Sequence, residues 1–336
     1  MIKLGIIGCG YWGPNLIRNF SQLKEAEVVW VCDLDESRLT YIKGLYPSLK
    51  TTIDYQEILK DREIKAVCIA TPVKTHYQIV KDALLAGKNV LVEKPFTLTS
   101  EEAQELIDIS EEENLVLMVG HTFEYNEAVI KLKELMEKGE LGRILYLYGE
   151  RLNLGIFRDD VNVLWDLGAH DISILNYILQ QEPIGVSSQG MAHYQEGIED
   201  TVFSLFSYPG EVKACLHLSW LDPLKVRKLT IVGDKKMAIF DDTNKAEPLK
   251  IYDRYAIKQP LAETSRHLKL IVHQGEVFAP KIKSTEPLQN ECRHFLECIK
   301  NGSKPRSDGY SGLAVIKILE ATQQSLKNKG KWVEIN

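Results

Sequence analysis

Residues 2–13 read IKLGIIGCGYWG: an apolar run from Ile2 to Ile7, then Gly8, Gly10 and Gly13 in the spacing G-x-G-x-x-G. A strand that feeds a glycine turn and then a helix is the opening of a βαβ dinucleotide-binding unit. Gly8 permits the tight strand-to-helix turn. Gly10 lets the backbone approach a pyrophosphate, and Gly13 lets the helix pack closely on the sheet. Tyr11 and Trp12 fill the loop and count with it as cofactor-contacting positions. Pro14 fits the first helical turn, where its missing N–H costs little. The helix start then presents free N–H groups and positive dipole to phosphates.

A second strand, Val28–Cys32, ends in Asp33, which lies 20 residues after Gly13. An acid at that place accepts hydrogen bonds from the adenosine ribose hydroxyls. It also repels a 2′-phosphate, so NAD is expected ahead of NADP. Arg38 is close enough to weaken that preference and joins the cofactor candidates. Asp33-Leu34-Asp35 also starts a helix, and either acid can serve as its N-cap.

The chain has 336 residues, enough for two domains, with 44% hydrophobic and 26% charged residues. A net charge of −6 argues against general nucleic-acid binding. Six scattered cysteines contain no C-x-x-C pair and read as reduced core residues, with no metal site expected. No apolar stretch is long enough to span a bilayer, and no secretory signal is evident, so a cytoplasmic protein without a membrane partner is expected.

Strand and helix alternate through the first 120 residues. Ala66–Ala70, Asn89–Glu93 and Leu115–Gly120 are apolar runs; His76–Ala86 is a helix, and so is Ser100–Asn114, with Ser100 as its N-cap. Such alternation implies a doubly wound parallel sheet covered on both faces. After His121 the pattern changes. Asn126–Lys138 and Asp166–Leu179 are helical, and strands are expected at Ile144–Glu150, Ile184–His193, Thr201–Tyr208, Glu211–Trp220, Lys228–Val232 and Lys236–Phe240. Neighbouring strands without intervening helices imply an antiparallel sheet. Asp241–Pro287 reads as polar and irregular, and two helices follow, near Leu288–Lys300 and Gly309–Lys327. The expected domains are 1–122 and 123–336: an α/β chain with a doubly wound N-terminal domain and a C-terminal α+β domain on a large, open, mostly antiparallel sheet.

Three further segments carry chemistry. Ala70-Thr71-Pro72 ends one parallel strand, with His76 opening the next helix, and Glu93-Lys94-Pro95 ends the following strand. Ligands bind beyond the carboxyl ends of strands in open parallel sheets, so both segments border the expected cofactor crevice. In WDLGAHD, Asp166 and His170 are four residues apart, on one face of the expected helix.

GIIGCGYWGPN, CIATPVKTH, VLVEKPFTLT and WDLGAHDISIL together resemble the glucose–fructose oxidoreductase / inositol dehydrogenase family, also written Gfo/Idh/MocA, over essentially the whole chain. The resemblance implies a Rossmann domain, a second domain on an open sheet, and oxidation or reduction of carbohydrate-like substrates with NAD or NADP. It maps Lys94, Asp166 and His170 onto catalytic positions. Thr71, Pro72, His76, Glu93 and Lys94 map onto cofactor-contacting ones.

Oxidising a sugar hydroxyl removes a proton from oxygen and a hydride from carbon, and the cofactor accepts the hydride. His170 suits the proton, with an unperturbed pKa near neutrality. Lys94 can hold the reacting oxygen and stabilise charge developing on it. Asp166 can bind a neighbouring hydroxyl. Lys94 and His170 can exchange roles, and sequence leaves the choice open.

The loop RLNLGIFRDDVNVLW, residues 151–165, leads into Asp166 and is expected to border the substrate. Arg151, Asn153 and Arg158 are its substrate-contacting candidates. The arginines either bind an anionic substrate group or pair with Glu150, Asp159 or Asp160. Tyr125, near the domain junction, either contacts substrate or packs. The loop resembles that of family members acting on nucleotide-activated sugars. This implies C3 oxidation of a UDP-N-acetylhexosamine or its uronic acid for surface polysaccharide synthesis. A free polyol or sugar is the alternative substrate, and a non-catalytic dinucleotide-binding regulator the alternative function. SLFSY and ACLHLSW alternate as a sheet with one face expected to pack against another subunit, and the family resemblance implies a homodimer or homotetramer.

Overall fold

The computed structural model describes residues 1–260 and 268–335. Its Cα framework divides into two compact units, one of residues 1–125 with 285–317, the other of 126–284 with 318–336. Against the expected cut at 122/123, the difference is that residues 285–317 return to the first unit.

The first unit opens with β1 (Ile2–Ile7), α1 (Gly13–Ser21), β2 (Ala26–Cys32), α2 (Glu36–Leu45), β3 (Lys50–Thr52) and α3 (Tyr55–Lys60). It continues with β4 (Ala66–Ile69), α4 (His76–Leu85), β5 (Asn89–Glu93), α5 (Ser100–Glu112) and β6 (Leu117–Gly120). The strands form one sheet in the order β3-β2-β1-β4-β5-β6, and every pair is parallel. All four residues of β4 and of β6 are buried, as a sheet covered on both faces requires. The strand order reverses between β1 and β4, which makes the carboxyl ends of these two strands the switch point where ligands bind such sheets.

Asp35 caps α2, accepting from the Ser37 N–H at 2.9 Å, so Asp33 is released from that duty. The cap of α5 is Thr99 rather than the expected Ser100: Thr99 is extended and accepts from the Glu102 N–H, while Ser100 is already helical.

The second unit begins with α6 (Glu127–Glu137), β7 (Ile144–Leu152) and α7 (Ala169–Leu179). Seven strands follow: β8 (Gly185–Met191), β9 (Thr201–Ser207), β10 (Lys213–Ser219), β11 (Val226–Gly233), β12 (Met237–Asp241), β13 (Leu249–Pro260) and β14 (Leu268–Phe278). Next come α8 (Pro287–Asn301), which belongs to the first unit, then α9 (Gly309–Lys327) and β15 (Val333–Glu334). In the first unit Phe295 of α8 meets Phe20 of α1 edge to face, with ring centroids 6.5 Å apart, and both are fully buried.

The large sheet has nine strands in the order β14-β13-β12-β11-β7-β10-β9-β8-β15. Among the described residues, only the β7–β10 pair is parallel. In β9, Val202, Ser204 and Phe206 point into the core, while Phe203 and Leu205 stay exposed on the other face. In the stretch expected to be irregular, Asp241–Pro287, the described residues are instead mostly the antiparallel pair β13 and β14; residues 261–267 lie outside the described residues. Beyond Tyr252 no described residue of β13 is buried. Without a buried side, the alternation that signals a strand is lost. No described helix is long and apolar enough to cross a membrane.

Candidate active site

The residues expected to carry function fall into two groups, one in each unit. In the first unit, Gly8 sits at φ +98°, and a Cβ there would come within 2.6 Å of the Ala70 carbonyl oxygen at the end of β4. A Cβ at Gly13 would lie 2.1 Å from the Gly8 oxygen. The loop therefore closes on itself and on the switch point at distances no side chain allows. Gly10 is different: the nearest atom to its missing Cβ is Arg38 Nη1 at 3.7 Å, so it leaves approach space for a ligand. No side chain caps α1, and Pro14 stands in its first turn. Cys9, within the loop, is buried, and burial pushes its thiol up to about 12, which makes it inert.

Asp33 is nearly buried. Its Oδ2 accepts the Cys9 N–H at 2.6 Å and its Oδ1 the Asp35 N–H at 2.9 Å. Arg38 approaches Asp33 at 3.5 Å and Asp35 at 3.4 Å. These contacts fix the carboxylate at the mouth of the glycine loop. Tyr11 is exposed and meets Trp12 edge to face.

His76 departs from the sequence expectation. It is fully buried, with Nε2 2.8 Å from the Thr71 oxygen and Nδ1 2.8 Å from the Pro95 oxygen. The ring is a strut between the Thr71-Pro72 turn and the Lys94-Pro95 turn, donating from one nitrogen, because burial lowers its pKa and a neutral imidazole has a single N–H. Thr71 receives the Thr75 hydroxyl at 2.8 Å. The Lys94–Pro95 peptide is cis.

Glu93 ends β5 opposite Gly120 of β6, and its Oε2 lies 3.2 Å from where a Gly120 Cβ would stand. Burial pushes its carboxyl up to about 7, against the pull of the adjacent Lys94. Glu291 of α8 is also buried; burial first and Glu93 second hold it well above the ordinary range, against a pull from the Thr122 side chain. His121, the residue after β6, is buried with neither ring nitrogen hydrogen-bonded among the described residues, and burial, then Lys94, press it down to about 3. Sequence reasoning missed Glu291, which only the return of α8 to this unit brings near Glu93. Tyr125 is a correction. It is 2% exposed, its hydroxyl meets Ser307 Oγ at 3.1 Å, and Arg306 stacks over its ring, so it packs rather than contacts substrate.

In the second unit, Arg151 is a second correction. It is buried at the end of β7 and grips Asp171 through two bonds, Nε–Oδ2 at 2.6 Å and Nη2–Oδ1 at 3.1 Å. The partner is none of the acids weighed from sequence, because α7 lays Asp171 against β7. Arg158 holds Asp160 in a similar fork, at 3.0 and 3.2 Å, with Nη1 3.9 Å from Asp166 Oδ1. Asn153 is half-buried, its N–H bonded to the Ser219 oxygen.

Asp166 lies in a π-helical turn, Leu164–Gly168, that runs into α7, where the sequence spacing implies plain α-helix. Such wide turns gather at functional sites. Asn162 starts the turn: its carbonyl accepts the Asp166 N–H at 3.1 Å, its Oδ1 the Trp165 N–H at 3.3 Å, and its Nδ2 donates to Gln323 at 2.8 Å. Asp166 Oδ2 accepts the indole N–H of the buried Trp220 at 3.2 Å. His170 follows in the first turn of α7, half-buried, with Nδ1 enclosed. Asn162, Trp220 and Gln323 are contributions that no local motif signals.

Two profiles of one family match the chain: "Oxidoreductase family, NAD-binding Rossmann fold" over residues 2–121 and "GFO/IDH/MocA C-terminal domain" over residues 129–239. The uncharacterized oxidoreductase YrbE of Bacillus subtilis is 24% identical over 97% of this chain and 94% of its own length. A UDP-N-acetylglucosamine 3-dehydrogenase of Acidithiobacillus ferrooxidans is 29% identical over 57% of this chain and 58% of its own. The solved structure of a levoglucosan dehydrogenase, in complex with NADH, shares the fold with a TM-score of 0.84 at 18% identity, covering 100% of this chain and 99% of that one.

Proposed function

The chain belongs to the Gfo/Idh/MocA family of NAD-dependent oxidoreductases acting on CH–OH groups, and from that premise we propose that it oxidises a secondary ring hydroxyl of a carbohydrate with Lys94, Asp166 and His170 as its catalytic residues. The observation that carries this reading is the joint placement of the glycine loop, Asp33 and the Glu93-Lys94 turn along the carboxyl edge of one parallel sheet.

The residues present fit NAD: Gly10 leaves room beside an uncapped helix start, and Asp33 is held at the loop mouth. Gly8, Gly10 and Gly13 with Tyr11 and Trp12 would hold the pyrophosphate, Asp33 the adenosine ribose, and Thr71, Pro72, Glu93 and Lys94 the nicotinamide half. The cofactor supplies a hydride acceptor. Arg38, already facing Asp33, lowers rather than abolishes the discrimination against a 2′-phosphate.

His170 takes the hydroxyl proton through Nε2, since Nδ1 is enclosed. The Lys94 ammonium stabilises negative charge on the reacting oxygen. Asp166 accepts a hydrogen bond from a neighbouring hydroxyl and fixes the ring's orientation. Exchange of the Lys94 and His170 roles is decided by the pH profiles of the two single variants.

The first substrate class is a UDP-N-acetylhexosamine or its uronic acid, oxidised at C3; the partial likeness to a UDP-N-acetylglucosamine 3-dehydrogenase supports it. The second is a free sugar or polyol, and one observation favours it: Arg151 and Arg158 both already hold carboxylates, Asp171 and Asp160. Absorbance of NADH with NAD and a panel of UDP-sugars, inositol and glucose tests both. Turnover with UDP-sugars alone supports the first; turnover with free sugars alone supports the second. NAD binding without turnover of any carbohydrate overturns both. The exposed sheet face carrying Phe203 and Leu205 is proposed to join subunits into a dimer or tetramer in the cytoplasm, and light scattering tests the assembly.

A further inference from the structure

We infer that Trp220 is a positioning residue for the reaction, its indole N–H fixing the Asp166 carboxylate in the orientation that meets substrate; this rests on the role proposed for Asp166.

Trp220 follows directly on β10 and is fully buried, an unusual depth for the largest side chain. A buried indole N–H needs an acceptor, and here the acceptor is Asp166 Oδ2, at 3.2 Å. The ring itself cannot swing. Its backbone N–H is bonded to the Asp200 oxygen at 2.9 Å, and Phe157 lies edge-on against it with centroids 5.7 Å apart. The other carboxylate oxygen faces Arg158 Nη1 at 3.9 Å, and that guanidinium is itself clamped by Asp160.

Asp166 needs this support because of where it sits. A π-helical turn packs its side chains at an offset unlike that of the α-helix that follows, so the direction of the Asp166 carboxylate depends on what surrounds it. The brace comes from the residue just after a strand, 54 positions later in the chain. One oxygen is held by a neutral donor on a rigid ring. The other faces a cation on a loop. Removal of the indole N–H takes away one fixed point of the carboxylate, which misorients bound sugar rather than preventing its binding.

The test is a double-mutant cycle on the full-length protein, with the carbohydrate that gives turnover, reading kcat and KM separately. Trp220→Phe keeps an aromatic ring and deletes the donor; Trp220→Met is the second variant should the first not fold. The expected result is a loss of about tenfold or more in kcat, with KM changed little, because a hydrogen bond to a charged group is lost. In an Asp166→Ala background the same substitution should cost nothing further. The indole N–H resonance that disappears in Trp220→Phe should also shift in Asp166→Ala. Equal losses in both backgrounds, or no loss in either, overturn the inference and leave the functional reading standing. Full activity in Asp166→Ala alone overturns the functional reading of Asp166, and the inference with it.

Discussion

The backbone N–H of Cys9 donates to the carboxylate of Asp33 at 2.6 Å, which ties the middle of the glycine loop to the end of the second strand. The acid is therefore both a brace of the loop and the expected ribose ligand. Asp33→Ala should weaken NAD binding about 10- to 100-fold, the size expected when charge-assisted hydrogen bonds are lost, and should weaken NADP less. Fluorescence titration with both cofactors measures the ratio; an unchanged ratio takes Asp33 out of the ribose site.

Lys94 follows Glu93 at the carboxyl edge of the sheet, beside the loop that holds His121. Lys94→Met keeps the side chain's length and deletes its charge. Turnover should fall on the order of 10²- to 10⁴-fold, the usual range for a lost acid–base or electrostatic group, with NAD affinity nearly unchanged. Wild-type turnover would sink the assignment.

Arg151 and Asp171 form a buried bidentate pair, and removal of one partner strands the other's charge. Arg151→Met should destabilise by roughly 3–5 kcal/mol without raising KM in the protein that remains folded. Arg151→Met with Asp171→Leu should regain part of the loss. Thermal unfolding alongside steady-state kinetics separates this from a substrate contact, which would raise KM and spare stability.

Burial moves the Glu93 carboxyl from 4.5 up to about 7 in the folded protein. Its neutral form is thus favoured by folding: that contribution is complete below the unfolded value of 4.5 and is lost as pH rises toward 7. His121 runs the other way, since its depressed value removes stability as pH falls below 6.5. Glu93→Gln cancels the first effect and leaves the second. Melting temperatures of both proteins from pH 5 to pH 8 should show the glutamine variant gaining relative to wild type as pH rises. A constant gap would mean that Glu93 ionises normally.

Much of the first unit is legible in sequence because its signals are local. A strand, a glycine turn and a helix occupy consecutive residues, and Gly8, Gly13 and Asp33 act through neighbours that the βαβ path itself supplies. The roles of Arg151, His76 and Tyr125 are not legible in this way. Each carries the right chemistry at a plausible position, yet each is satisfied by a partner from another element: Asp171 on α7, the Pro95 carbonyl after β5, and Ser307 after α8. The β13–β14 pair is missed because strand residues exposed on both faces show no alternation.

The sequence by itself determines the doubly wound N-terminal domain, the glycine loop and the strand-end position of Lys94, because backbone geometry and short-range spacing encode them. Tertiary structure alone decides which polar groups remain open to a ligand. It places Glu291 near Glu93, hands Arg151 to Asp171 and sets Trp220 behind Asp166. The physical reason is that a buried polar group must find a partner or change its charge state, and its partner is fixed by how distant elements pack, not by its neighbours in the chain.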